Sequence, residues 1–245
     1  MATLASRAVV RRPRAFVRVA GPDACEYLQR MVSNDVEALA VCESCDALLL
    51  TAKARVIAPL RVLRRDEDDY LVFTEPELGE RVRHELLRFR FAAKAEIEPE
   101  EHDAWLVLGG EEVLDARPEG EEVDDETFER WRIESGIPRW GREIDDRVLP
   151  AEAGLTETHV SFSKGCYPGQ EPIARQHYRG KLNRRLRVLE VEGDDVPAYD
   201  AEIRFDEKIV GRVTSALPGR ALGYVRTEVP DDAELRIGSA RARLH

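Results

Sequence analysis

Cys166 is the side chain of this 245-residue sequence with the clearest chemical use. It stands in the run Ser163-Lys164-Gly165-Cys166-Tyr167-Pro168-Gly169-Gln170-Glu171, continued by Pro172-Ile173-Ala174-Arg175. A thiol acts as nucleophile or ligand in its thiolate form, which a nearby cation or a helix N-terminus favours. Lys164 supplies the cation, and Gly165 and Gly169 free the backbone on either side of Cys166 and Tyr167. The apolar-polar order from Ile173 to Tyr178 predicts a short helix that starts between Pro168 and Pro172 and stops at Gly180. Cys166 then precedes the free N–H groups of that helix. The plainer alternative is a buried turn cysteine beside a snorkelling lysine. Thiol, lysine, amide, acid and arginine within thirteen residues favour the working site.

Other groups invite chemistry with less force. Cys42-x-x-Cys45 is half of a zinc site or a redox pair. Its remaining ligands would have to come from Cys166, His159 and His177, and no second C-x-x-C is present, so no metal is expected. Glu134 follows Arg132 by two residues and precedes the helix-stopping Gly136. By residue type it reads as a surface or salt-bridging carboxylate. Asn34-Asp35 reads as a turn after a helix. Arg179, Lys181, Arg184, Arg185 and Arg187 make either a pocket for an anionic ligand or a solvated strand face. His84 and His102 read as surface residues.

Two textures surround these residues. From Ala15 to Ile97 the pattern is β-α-β-β-β-α-β: strands Ala15–Val19, Ala47–Thr51, Val56–Leu63, Tyr70–Thr74 and Ala93–Ile97, with helices marked by Ala24, Leu28, Met31 and by Leu78, Val82, Leu86, Phe89. This is a split βαβ unit with one extra strand, and Pro59 predicts a bulge or an edge position. Residues 104–181 form a second α+β lobe: a strand at Trp105–Leu108, an acidic loop at Asp115–Asp125 and a helix at Thr127–Ser135. From residue 182 short strands alternate with turns (Leu186–Val191, Glu202–Phe205, Ile209–Thr214, Ala221–Arg226, Leu235–Ile237), as in a small antiparallel barrel. Three domains are expected, at 1–103, 104–181 and 182–245.

Composition narrows the function classes. With 48 acidic against 37 basic side chains and a net charge of −11, nonspecific binding to nucleic acid or anionic lipid is disfavoured. No run of apolar residues is long enough to span a membrane, and the arginine-rich start lacks a secretory h-region. Four cysteines without a dense framework point to reduced thiols in a cytoplasmic protein.

The block Lys164-Gly165-Cys166-Tyr167-x-Gly169-Gln170-Glu171-x-x-Ala174-Arg175 resembles the signature of the YgfZ family, folate-binding relatives of the glycine-cleavage T-protein, an aminomethyltransferase. Arg132-Ile133-Glu134-Ser135-Gly136-Ile137-Pro138, Leu149-Pro150-x-Glu152 and Ser33-Asn34-Asp35 are similar to further family segments. The resemblance implies a GcvT/YgfZ-like folate-binding fold of class α+β. A ferredoxin-like split βαβ lobe, a second lobe with the cysteine block and a C-terminal β-barrel would surround a pterin site. It implies tetrahydrofolate or a one-carbon derivative as cofactor, with Glu134 accepting the pterin's N–H and amino donors and Arg132, Gln170, Glu171 and Arg175 nearby. It implies iron–sulfur client or assembly proteins as partners, with Cys166 as reactive thiol and Lys164 as its activator. The T-protein aspartate falls at Ala58 or Pro59 here. Neither can take a proton, so the aminomethyl-transfer reaction is not expected; a one-carbon transferase or demethylase with another acid, and a pure interaction protein, are the rival readings. Lys53-Ala54-Arg55 is similar to a family Lys-Gly-Arg turn, with an alanine that is costly if φ there is positive.

Overall fold

Alternating apolar residues between Ala15 and Glu100 produce one five-stranded antiparallel sheet. A computed structural model describes residues 7–245. Strands β1 (Ala8–Arg11) and β2 (Ala15–Ala20) precede helix α1 (Ala24–Met31), then β3 (Ser44–Leu50), β4 (Val56–Asp66) and β5 (Asp69–Thr74), then α2 (Gly79–Arg88) and β6 (Glu96–Glu100). The sheet order is β3-β4-β5-β2-β6, the expected split βαβ unit with its extra strand. The helices bury one face through Ala24, Tyr27, Leu28, Val82 and Leu86. The same sheet carries charge on half-buried positions: Asp69 joins Arg18 and Arg65, and Arg65 joins Glu100, cross-strand pairs of opposite sign that favour this register.

Pro59 sits where β4 has a single partner. Pairing of β4 with β5 begins at Arg61, while β3 pairs through Pro59 to Val56 with a bulge beside Leu49. The proline thus removes no ladder donor that a second strand needs, and its carbonyl accepts from Thr74 Oγ1 at 2.6 Å.

The chain continues through β7 (Ala104–Val107), β8 (Glu112–Leu114), β9 (Glu121–Glu122), α3 (Asp125–Glu134), α4 (Thr156–His159) and α5 (Gln170–Arg179). A four-stranded sheet, β8-β7-β1-β9, uses β9 as a parallel neighbour of β1. Glu121–Glu122 therefore corrects the acidic-loop expectation: backbone pairing with Ala8 and Val9 overrides a composition that disfavours strands. The last expected sheet strand also moves, to Glu96–Glu100, because Ala93 belongs to the turn before it.

Six strands, β10 (Arg184–Val191), β11 (Glu202–Phe205), β12 (Lys208–Leu217), β13 (Arg220–Arg226), β14 (Leu235–Ile237) and β15 (Ala240–Leu244), form a closed barrel ordered β10-β13-β12-β11-β14-β15. Its core is aliphatic, from Leu189, Val191, Ile203, Val213 and Leu235. Strand β15 closes the barrel by pairing with β14 and β10.

The chain divides into two compact units. One runs to Phe128 and takes in Glu157–Gln170; the other comprises Glu129–Thr156 and Glu171–His245. Among the described residues no helix is long and apolar enough to cross a membrane.

Candidate functional site

The cysteine block begins in an irregular segment of the first unit, residues 160–169, between α4 and α5. Such a segment must bond its backbone to something other than a ladder, and here it bonds to the turn that follows α1. Ser33, wholly buried, donates from Oγ to the His159 carbonyl at 2.6 Å and accepts from the Leu48 N–H at 2.8 Å. Its own carbonyl accepts from Ser161 N–H at 3.0 Å. Asn34 Nδ2 donates to the Asp46 and Thr158 carbonyls at 2.7 and 3.1 Å. Lys164 Nζ completes the knot by donating to the carbonyls of Val32 at 2.8 Å and Asn34 at 2.6 Å.

The lysine is therefore used differently from the sequence expectation. Its hydrogen bonds run to main-chain carbonyls 130 and 132 residues earlier in the chain. Burial pushes its ammonium down to about 8, opposed by Asp35, Cys45 and Glu37. The thiol that it acts on electrostatically is that of Cys45. Asn34 and Asp35, read as a turn, form the receiving side of this knot; Asp35 also accepts from Gln29 Nε2 at 2.9 Å.

Cys166 is exposed, while the neighbours that fix its loop are buried: Lys164 at 8% exposure and Tyr167 at 7%. This reverses the plainer alternative, in which the thiol is buried and the amine reaches solvent. The Tyr167 ring lies 5.5 Å from Lys164 Nζ. Its hydroxyl is buried without a hydrogen-bond partner among the described residues, and burial pushes it up to about 12. Gly165 meets nothing that a side chain would strike. Gly169 is different: its φ is +85°, and an added Cβ would lie 2.7 Å from the Thr51 carbonyl oxygen and 3.1 Å from Ala54 Cα. The Thr51–Arg55 turn and the cysteine block thus touch through a glycine that must be a glycine. Ala54 holds φ 56° in this turn, the left-handed conformation that the expected Lys-Gly-Arg turn would give to glycine.

On β4, Ala58 is buried and Pro59 half-buried, and neither side chain carries an acid. The C-x-x-C pair is split between an exposed Cys42 and a half-buried Cys45 on β3. Burial and Asp46 push the Cys45 thiol up to about 11, so it is protonated at neutral pH, the wrong form for a nucleophile or a ligand. Burial also holds His159 below the usual histidine range.

The second unit holds the other nominated residues except Gln170, which ends the first. Arg132, 2% exposed, is saturated. Its NH1 donates to the Ile137 carbonyl at 2.8 Å and Glu143 Oε2 at 3.1 Å; its NH2 donates to Glu129 and to Ser215 Oγ, both at 2.9 Å; its Nε donates to Glu129. Glu143 accepts further from Arg139 N–H at 3.0 Å and Ser215 Oγ at 2.7 Å, and Tyr224 donates to its carbonyl at 2.7 Å. With all five of its donors engaged, Arg132 is a structural anchor, which corrects its expected place at a cofactor. Glu134, two residues on, is exposed and among the described residues reaches only Arg130, at 3.8 Å. Gly136 ends α3 with φ +68°, and the Ile137 N–H closes on the Arg132 carbonyl at 3.0 Å, a glycine-capped helix end. Glu171 and Arg175 pair with each other one turn apart on the exposed side of α5, and Gln170 is its first residue. In the basic cluster Arg184 pairs with Glu152 at 3.1 Å and lies over the Tyr224 ring.

Sequence reading assigned no role of their own to Ser33, part of the Ser33-Asn34-Asp35 segment, or to Glu143, part of a similar Glu143-Ile144 segment, because a serine and a glutamate announce none until the fold gathers their partners. The isolated pattern Ser-Asn-Asp after an amphipathic helix was the available signal for the first.

Comparison with known proteins agrees with this architecture. Residues 183–245 match the family model described as the CAF17 C-terminal beta-barrel domain. The chain is 26% identical to the tRNA-modifying protein YgfZ of Edwardsiella ictaluri, over 93% of this chain and 87% of that protein. It is 26% identical to the aminomethyltransferase of a Nostoc species over 86% of this chain and 47% of that enzyme, and 27% identical to that of Rippkaea orientalis over 91% and 54%. The chain thus spans about half the length of these two aminomethyltransferases. The crystal structure of glycine cleavage system aminomethyltransferase T from Bartonella henselae shares the fold, with a TM-score of 0.84 at 17% identity over 98% of this chain and 85% of that one.

Proposed function

We propose that this chain, similar to YgfZ and aminomethyltransferase relatives and with a barrel that matches the CAF17 C-terminal domain model, is a tetrahydrofolate-binding accessory protein for iron–sulfur cluster assembly or repair, with Cys166 as its reactive thiol. The observation that carries the reading is the exposure of Cys166 on a loop whose flanking residues are immobilised. Lys164, Tyr167 and Gly169 are each held by buried contacts, so the thiol is presented at low entropic cost to whatever approaches it.

The residues fit a pterin in one definite respect. Glu134 keeps a carboxylate that is exposed and only loosely paired, so both its oxygens can accept the adjacent N–H and amino donors of the ring. Bound folate would supply a carrier for a one-carbon unit; the chain's own part is to bind the ring and to present the thiol.

The relatives named aminomethyltransferases favour a one-carbon transferase as second reading. Ala58 and Pro59 oppose it, since neither can hold or move a proton. The name tRNA-modifying protein, carried by the Edwardsiella relative, is compatible with a client enzyme that acts on tRNA. With a net charge of −11, direct grip on RNA backbone is disfavoured.

Calorimetric titration with tetrahydrofolate and its methylene form tests the reading. Saturable binding is expected in the intact chain, and Glu134→Ala should weaken it by about tenfold or more, the loss of a charge-assisted bidentate contact. Unchanged affinity in that variant would remove Glu134 from the site, and absence of binding would leave a pure interaction protein.

A further inference from the structure

At one end of the barrel, where β10 starts and β13 finishes, the segment 227–234 folds over the opening. Its Val229 and Ala233 belong to the barrel core, and Thr227 ties it back, N–H to the Asn183 carbonyl at 3.1 Å and hydroxyl to the Leu182 carbonyl at 2.6 Å. A cavity of about 410 Å³ lies between this cover and the strand ends, a volume within the range of small-ligand sites. In β10 the core residues are Leu189 and Val191. The two-residue repeat of a strand therefore puts Arg185 and Arg187 on the same inward face, and both line the cavity.

The charges are unequally matched. Arg187 NH1 meets Asp231 Oδ1 at 2.8 Å, and Arg226 meets Glu228 at 3.4 Å. Arg185 has no hydrogen-bond or ion-pair partner among the described residues. The Arg187–Asp231 pair shows how a carboxylate seats itself in this cavity, and it is a weak competitor: the Asp231 side chain is 83% exposed, and exposed pairs are worth little.

We propose that this cavity binds a small ligand through a phosphate or carboxylate group held by Arg185 and Arg187, with Asp231 as the resident carboxylate that the ligand displaces. Arginine's planar fork suits both groups. The proposal stands independently of the folate-binding reading. Calorimetry of the full chain at fixed chloride, with pyrophosphate in one arm and citrate in the other, provides the test. One-site binding of at least one anion is expected, and the tighter arm identifies whether phosphoryl or carboxylate is the natural group. Arg185→Gln, at an exposed position that leaves the fold intact, should weaken binding at least tenfold. Asp231→Asn should tighten it by up to about fivefold by removing the competitor. No saturable binding in either arm, equal affinity in Arg185→Gln, or no gain in Asp231→Asn would overturn the proposal.

Discussion

The Ser33–Lys164 knot of the first unit and the Arg132–Glu143–Ser215 network of the second are both buried polar clusters built on a charged residue from a candidate site motif. They end differently. In the second unit every donor of Arg132 is engaged and the cluster is closed, with Glu143 wholly inside it. In the first unit the knot is closed around Lys164, but the chain leaves it at once for an exposed thiol two residues away. Motif residues thus divide into those locked in buried networks and those left exposed. Lys164 and Arg132 hold; Cys166 and Glu134 remain available.

Breaking the closed network should cost the most. Arg132→Met leaves the buried Glu143 without its counter-charge, while Glu129 keeps Arg139, and a stability loss of about 3–5 kcal/mol is expected in urea denaturation. Lys164→Met leaves the buried Val32 carbonyl and the half-buried Asn34 carbonyl without their donor, for a loss of about 1–3 kcal/mol.

The same lysine gives the comparison a pH signature. Its folded value is depressed to about 8 while an unfolded lysine titrates near ~10.4, so between these limits the unfolded chain binds more protons. The lysine's own contribution to stability therefore rises with pH from about 8 to ~10.4, as the penalty for burying the charge is relieved, while the Cys45 thiol, held protonated up to about 11, contributes with the opposite sign. The difference in denaturation midpoint between wild type and Lys164→Met should shift in favour of wild type across that window.

The smallest effect is at Ala54. Glycine there relieves ~1–2 kcal/mol of left-handed strain but gives up ~0.8 kcal/mol for a buried methyl. Ala54→Gly should raise stability by less than ~1 kcal/mol, read from the melting temperature.

What was legible beforehand follows from the range of the interactions. The alternating strands from Ala15 to Thr74 and the amphipathic helices α1 and α2 are local patterns, and they stand where the sequence puts them. Strand β15 was not foreseen, because two of its three inward residues, Ala240 and Ala242, are small; Ala242 is 2% exposed yet reads as weakly apolar. Strand β9 is two glutamates whose only reason to be extended is β1. At the site, the positive φ of Ala54 could be anticipated from the turn it resembles. The partners of Lys164 could not, since Val32 and Asn34 lie over a hundred residues away in sequence. Arg132 misled for the same reason: its proximity to Glu134 is visible in the sequence, whereas Glu143 and Ser215 become its neighbours only in the fold.

Cys166→Ser addresses the division between holding and reacting most directly. The exposed substitution should leave stability within about 0.5 kcal/mol of wild type, while the variant fails to restore iron–sulfur enzyme activity in cells that lack the protein. Full restoration by the serine variant would contradict the account, because the thiol would then have no part in the function.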